Sequence, residues 1–170
     1  MSHSYSFTDL CDPAYCPRVG VIDDDPIAAA SMRARIQLRF PVCRVSIFNE
    51  PIVPPNLDIY FIDNDFDGQA LGKSLLKKIR SVAPRAPVIV VSAGLDPATK
   101  RELGRSGCDA LYDKNEPRKS EAAFDVVEHY IERLHMAQSA TPKKVSSQRK
   151  HFLRDLLHHW VRKTRHAGYI

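Results

Sequence analysis

Leu57-Asp58-Ile59-Tyr60-Phe61-Ile62-Asp63 is a short apolar run that stops abruptly at a carboxylate. Its length and its β-branched and aromatic content predict a buried strand over 57–62. Three more runs end the same way. Arg18-Val19-Gly20-Val21-Ile22 stops at Asp23-Asp24, Pro87-Val88-Ile89-Val90-Val91 stops at Ser92, and Asp109-Ala110-Leu111-Tyr112-Asp113 stops at Lys114. In an open parallel α/β sheet the ligand crevice lies outside the carboxyl ends of the strands. Four such strands would deliver an acidic pair, a third acid, a hydroxyl and an amine into one pocket.

The segments between these runs carry helical periodicity. Ile27, Ala30, Ala34 and Leu38 follow Pro26, which suits a first helical turn, and Phe40-Pro41 closes that helix. Leu71, Leu75, Leu76 and Ile79 mark a second helix ending before Pro84, and Pro97 to Arg105 a third with Gly107 as its stop. Phe124, Val127, Ile131 and Leu134 share one face of a helix over 121–136. Val42–Phe48 reads as a further strand. After it, Asn49-Glu50-Pro51-Ile52-Val53-Pro54-Pro55-Asn56 holds three prolines in eight residues and cannot form a regular helix. Five βα repeats in alternation predict a doubly wound parallel sheet with helices on both faces, the second helix short or absent.

The bulk numbers agree with one soluble domain plus extensions. The chain has 170 residues, 44% apolar and 26% charged, ordinary values for a globular protein. Its apolar runs are about six residues long, far short of a membrane span. Met1–Ser6 has neither a basic start nor an apolar segment, so no signal peptide is expected and the cytoplasm is the expected compartment. Cys43 and Cys108 sit among apolar neighbours as buried thiols, and Cys11 and Cys16 lack the further Cys or His partners of a zinc site. The division expected is an irregular arm at 1–17, the main domain at 18–137, a linker at 138–147 and a helical tail at 148–170.

Charge is unevenly placed. Residues 141–170 hold eight Lys or Arg against Asp155 alone, a surplus of seven that leaves the other 140 residues at −2 within a total of +5. A mildly acidic body with a basic tail is not a general nucleic-acid coat. In the tail, Phe152, Leu153, Leu156, Leu157, Trp160 and Val161 form an apolar stripe opposed by Arg and Lys. The stripe is expected to pack on the main domain or on a second copy, making a homodimer. Docking a partner ranks next, and nucleic-acid or anionic-membrane contact through the basic face last.

Three carboxylates brought together repel one another unless a cation sits among them. Hard oxygen donors favour magnesium, which binds through few carboxylates plus phosphate oxygens. A lysine can then neutralise a phosphoryl oxygen, a hydroxyl can donate to another, and one carboxylate can attack phosphorus to form an acyl phosphate. These residues, in this order, resemble the receiver domain of two-component response regulators, a flavodoxin-like (βα)5 fold. The resemblance covers 18–136, roughly 70% of the chain. It implies Asp63 as phosphoacceptor, Ser92 and Lys114 as the groups that read the phosphoryl group, and Asp23, Asp24, Asp63 and the Asp65 backbone carbonyl as magnesium ligands. Ser92-Ala93 and Gly107-Cys108-Asp109-Ala110 match further family steps.

The resemblance implies a histidine kinase or histidine phosphotransfer protein as donor and a downstream protein partner. It implies no enzyme beyond magnesium-dependent self-phosphorylation and slow self-dephosphorylation. The chain departs from the family in four places. Residues 49–56 leave no room for a normal second helix, and the loop Asn64–Gly68 is shorter than usual without the customary Met-Pro. Asn115 follows Lys114 where Pro is usual, and Leu111 stands where a switch aromatic is expected, with Tyr112 one place on and facing the other way. A degenerate receiver acting as a phosphorylation-independent interaction module is therefore the competing class. Ile62-Asp63-Asn64-Asp65 also resembles haloacid-dehalogenase-type phosphatases, but these place a second acidic group after the lysine, whereas here an acidic pair precedes Asp63. His129 and His135 are expected to face solvent.

Overall fold

A computed structural model describes residues 16–140, without the side chains of Lys119 and 138–140. Most of the arm, the basic tail and the expected tail helix lie outside the described residues. Residues 137–170 form a separate unit, of which only the end of one helix is described.

The elements run β1 (Arg18–Ile22), α1 (Pro26–Arg39), β2 (Arg44–Phe48), β3 (Ile59–Asp63), β4 (Asp65–Phe66), β5 (Gln69–Ala70), α2 (Gly72–Val82), β6 (Val88–Ser92), α3 (Pro97–Arg105), β7 (Ala110–Asp113), a 3-10 turn at Pro117–Ser120 and α4 (Ala122–Ala140). Five strands form one parallel sheet in the order β2-β1-β3-β6-β7. The chain leaves β1 toward one edge and returns on its other side as β3. This switch point opens a crevice at the carboxyl ends of β1 and β3.

Alternation along the strands builds a core on each face of the sheet. Ile59 and Phe61 of β3, with Ile89 and Val91 of β6, meet Ala29, Met32 and Ile36 of α1 and Phe124, Val127 and Ile131 of α4. Tyr60, Ile62, Val88 and Val90 point the other way, onto Leu75, Leu76 and Ile79 of α2 and Leu103 of α3. Every residue of β3 and β6 is buried, as expected of central parallel strands covered on both sides.

No helix lies between β2 and β3. The Pro-rich segment instead packs Val53 and Leu57 against the second core, and the Tyr60 hydroxyl donates to the Pro54 carbonyl at 2.9 Å. Several expected boundaries move. Strand β2 starts at Arg44, because Pro41–Val42 turn. Helix α4 runs to Ala140, three residues into the expected linker. The connection after Asp63 runs past the expected Asn64–Gly68 loop to Leu71 and holds the β4–β5 hairpin. His135 is half-buried with Nε2 out of solvent, whereas His129 is exposed and lies 3.8 Å from Glu132.

Away from the crevice, Arg80 ties the base of the sheet. Its guanidinium donates to the carbonyls of Gly107 and Ala86 and pairs with Asp109 at 2.5 Å. The second Asp109 role is to accept from the Val88 amide at 2.7 Å. Cys43 is buried in the first core and Cys108 packs against the second, and burial raises the Cys108 pKa. No helix among the described residues is long and apolar enough to cross a membrane.

Candidate phosphoacceptor site

The sheet brings the strand-end residues together as the sequence predicts. Asp23 and Asp24 follow β1, Asp63 ends β3, Ser92 ends β6, and Lys114 follows β7. Asp24, Asp63, Ser92 and Lys114 line an open cleft of about 410 Å³, with Asp65 and Asp67 at its mouth. Asp25 is a helix cap: its carboxylate accepts from the Ile27 and Ala28 amides at 2.8 and 3.3 Å.

Lys114 is the pivot. Its Nζ donates to Asp23 Oδ2 at 2.9 Å and lies 3.1 Å from Asp63 Oδ2. The Asp23 and Asp63 side chains are 3% and 6% exposed, so an ammonium between them offsets a repulsion that water cannot screen. Asp63 is nonetheless pushed above the ordinary carboxylate range, first by burial and then by the Asp23 charge, with Lys114 opposing both. Burial works against the Lys114 ammonium, but its hydrogen bonds to Asp23 and Asp63 prevail and raise its pKa.

Backbone amides orient each carboxylate. Asp25 N donates to Asp23 Oδ1 at 3.1 Å, Asn64 N to Asp63 Oδ1 at 2.8 Å, and Asp67 N to Asp24 Oδ2 at 2.9 Å. The Asn49 amide also reaches the Asp23 carbonyl at 2.9 Å. Neither contact is marked by the strand-end pattern: Asn49 reads in the sequence as the start of the Pro-rich segment, and Asp67 only as a turn former. Asp67-Gly68 is a strong signal for a two-residue hairpin turn, and it was the one available clue to the second contact.

One oxygen from each of Asp23, Asp24 and Asp63 lies within 4.8 Å of the others. Three carboxylates and one ammonium carry a formal charge of −2, which a single divalent cation neutralises. All-oxygen donors at this spacing fit a hard cation such as magnesium. Asp65 lies in β4, exposed at the cleft.

Leu111 and Tyr112 point to opposite faces of the sheet. Leu111 packs with the α2–α3 core. Tyr112 is buried in the other core, edge-on to Phe124 with centroids 5.7 Å apart. Ser92 and Leu111 also line a separate cavity of about 280 Å³ beside Leu95 and Lys100.

No family model matches the sequence, and no curated protein matches it. Solved structures do. The response regulator DrrB of Thermotoga maritima, an OmpR/PhoB homologue, matches with TM-score 0.57 and 19% identity, over 70% of this chain and 54% of that one. A CheY-like response regulator receiver domain protein from Methanospirillum hungatei matches with TM-score 0.54 and 22% identity, over 74% and 98%. The signal receiver domain of a DNA-binding response regulator from Colwellia psychrerythraea matches with TM-score 0.54 and 17% identity, over 66% and 98%. The chain has the fold of a response-regulator receiver domain.

Proposed function

We propose that this chain is a phosphoacceptor response regulator in which Asp63 takes a phosphoryl group from a phosphohistidine donor. The observation that carries the reading is the Lys114 ammonium shared between two nearly buried carboxylates at 2.9 and 3.1 Å. A structural ion pair needs one acid. An amine shared by two of three clustered acids, beside a hydroxyl at a sheet switch point, suits a transferring phosphoryl group.

In the transfer, an Asp63 carboxylate oxygen bonds to phosphorus as the donor's P–N bond breaks, and the imidazole leaves with the electron pair and takes up a proton. Asp23, Asp24, Asp63 and the Asp65 carbonyl are the groups that would hold magnesium, which supplies charge neutralisation for the phosphoryl oxygens when bound. The Asn64 amide keeps the Asp63 carboxylate oriented at 2.8 Å. Lys114 exchanges its Asp63 contact for a phosphoryl oxygen, and the Ser92 hydroxyl donates to another. The outcome is one acyl phosphate per chain, slowly lost by self-dephosphorylation and read by a downstream protein, with a histidine kinase or phosphotransfer protein upstream. The basic tail is proposed as an element that packs on a second copy or docks a partner, in a cytoplasmic setting.

The competing reading, a phosphorylation-independent interaction module, draws on Leu111 at the position where an aromatic switch is expected. Titration with a beryllium–fluoride phosphoryl mimic and magnesium separates the two. The proposal expects amide shifts at Asp63, Ser92 and Lys114 in a nitrogen-15 spectrum. A spectrum that does not respond sinks it.

A further inference from the structure

Each of the three clustered carboxylates accepts from the backbone, and one of those contacts differs from the rest. The amides on Asp23 and Asp63 come from two residues and one residue further along the same turn. The amide on Asp24 comes from Asp67, 43 residues away, at the tip of the β4–β5 hairpin. Asp23 and Asp63 also share Lys114; Asp24 does not. The orientation of Asp24 therefore depends on the hairpin.

The hairpin is built to hold that amide still. Asp67 and Gly68 have φ of 48° and 77°, the left-handed pair of a tight two-residue turn between Phe66 and Gln69, which pair across it. Phe66 is 3% exposed and anchors one strand in the α2–α3 core. At the base, the Asn64 carbonyl accepts from the Leu71 and Gly72 amides at 2.9 and 3.3 Å. Gly72 permits this closure, because a Cβ there would lie 2.6 Å from Asn64 Oδ1.

We infer that the Asp65–Ala70 hairpin is a positioning element of the proposed metal site, acting through the Asp67 backbone amide on the Asp24 carboxylate. This rests on the reading of the carboxylate cluster as a magnesium site. With the amide in place, Asp24 faces Asp23 and Asp63. Without it, a half-exposed carboxylate turns toward water, and the cation loses one of its three side-chain donors. The Asp67 side chain is not the active part, since the contact is made by its N–H.

Two substitutions separate amide from charge. Gly68→Val keeps every acid but strains the turn, with open space around the new Cβ; Gly68→Ala is a milder version. Asp67→Asn removes the charge while keeping the N–H and a residue that tolerates positive φ. Magnesium binding is measured by calorimetry, and exchange of the Asp67 amide by nuclear magnetic resonance in metal-free protein. Gly68→Val is expected to weaken binding at least fivefold, with Gly68→Ala intermediate and Asp67→Asn, which loses only a charge at the cleft mouth, weakened clearly less than Gly68→Val. Asp24→Ala is expected to speed exchange of the Asp67 amide with no metal present. Unchanged binding in both Gly68 variants overturns the inference, as does an Asp67→Asn loss matching that of Gly68→Val. A parent protein that binds no magnesium overturns the metal reading itself, and the hairpin's role with it.

Discussion

Replacing Lys114 by Met removes the ammonium and keeps most of the side-chain volume, which isolates the charge balance of the cleft. The formal charge of the cluster then falls from −2 to −3, with Asp23 and Asp63 nearly buried beside each other. At about 3 Å and an effective dielectric of about 20, each lost contact is worth roughly 5 kcal/mol before desolvation is counted. Desolvation offsets much of that, and breaking a buried pair by deleting one partner costs about 3–5 kcal/mol. The Lys114 side chain keeps 25% of its exposure, which puts the expected loss at the lower end, about 3 kcal/mol. Urea denaturation in chelator reads it directly. With a slope of about 1.5 kcal/mol per molar, the midpoint falls by about 2 M. Magnesium then offsets part of the loss, because the cation meets a cluster one charge more negative than the parent's. The variant binds magnesium more tightly than the parent and recovers more stability at the same concentration, about 2.7 kcal/mol at a hundredfold excess over Kd. A midpoint in chelator unchanged from the parent, or a variant that magnesium stabilises no more than the parent, refutes the reasoning.

Three further outcomes follow from the same geometry. Asp63 has a folded-state pKa raised above its ordinary 3.8 by burial and then by Asp23, so the fold favours its protonated form. Its contribution is intact below 3.8 and is lost as pH rises through the raised value; Asp63→Asn is therefore more stable than the parent above that window, and urea midpoints measured against pH show the two curves converging in acid. Gly72→Ala places a Cβ 2.6 Å from Asn64 Oδ1 and 3.0 Å from Asn64 Cα, so it lowers thermal stability by about 1–3 kcal/mol despite a better helix former, and it slows phosphorylation of the neighbouring Asp63. Arg80→Ala loses the bonds to Gly107, Ala86 and Asp109 at the far end of the sheet, costing about 2–3 kcal/mol in urea while leaving phosphorylation rates unchanged at a temperature where the variant is folded.

The sheet and its pocket were legible because both rest on short-range patterns. A buried parallel strand must be apolar along its length, so its end is marked by the first polar residue: Asp23, Asp63 and Ser92 are such residues, and Lys114 follows the one at Asp113. Asp25 and Asp96 each accept from two amides of the helix they begin, the local contact that an Asp just before a helix makes. The missing helix was equally plain, since Pro51, Pro54 and Pro55 remove amide donors that a helix needs. What escaped was non-local. The hairpin after Asp63 is two residues per strand, too short for periodicity to register, and its purpose appears only when Asp67 meets Asp24. The length of α4 was understated because Ala137 and Gln138 carry no apolar signal, although helix geometry accommodates them. His135 was misplaced for a related reason: a polar residue on an amphipathic helix can lie at the edge of the buried face.

The most direct test of the central claim is incubation with acetyl phosphate and magnesium, read by intact mass and peptide mapping, for the parent and Asp63→Asn. The account predicts a single phosphoryl adduct per chain on the peptide carrying Asp63, absent in chelator and absent in the variant. No adduct on the parent, an adduct that survives Asp63→Asn, or sustained turnover of phosphomonoesters would contradict it.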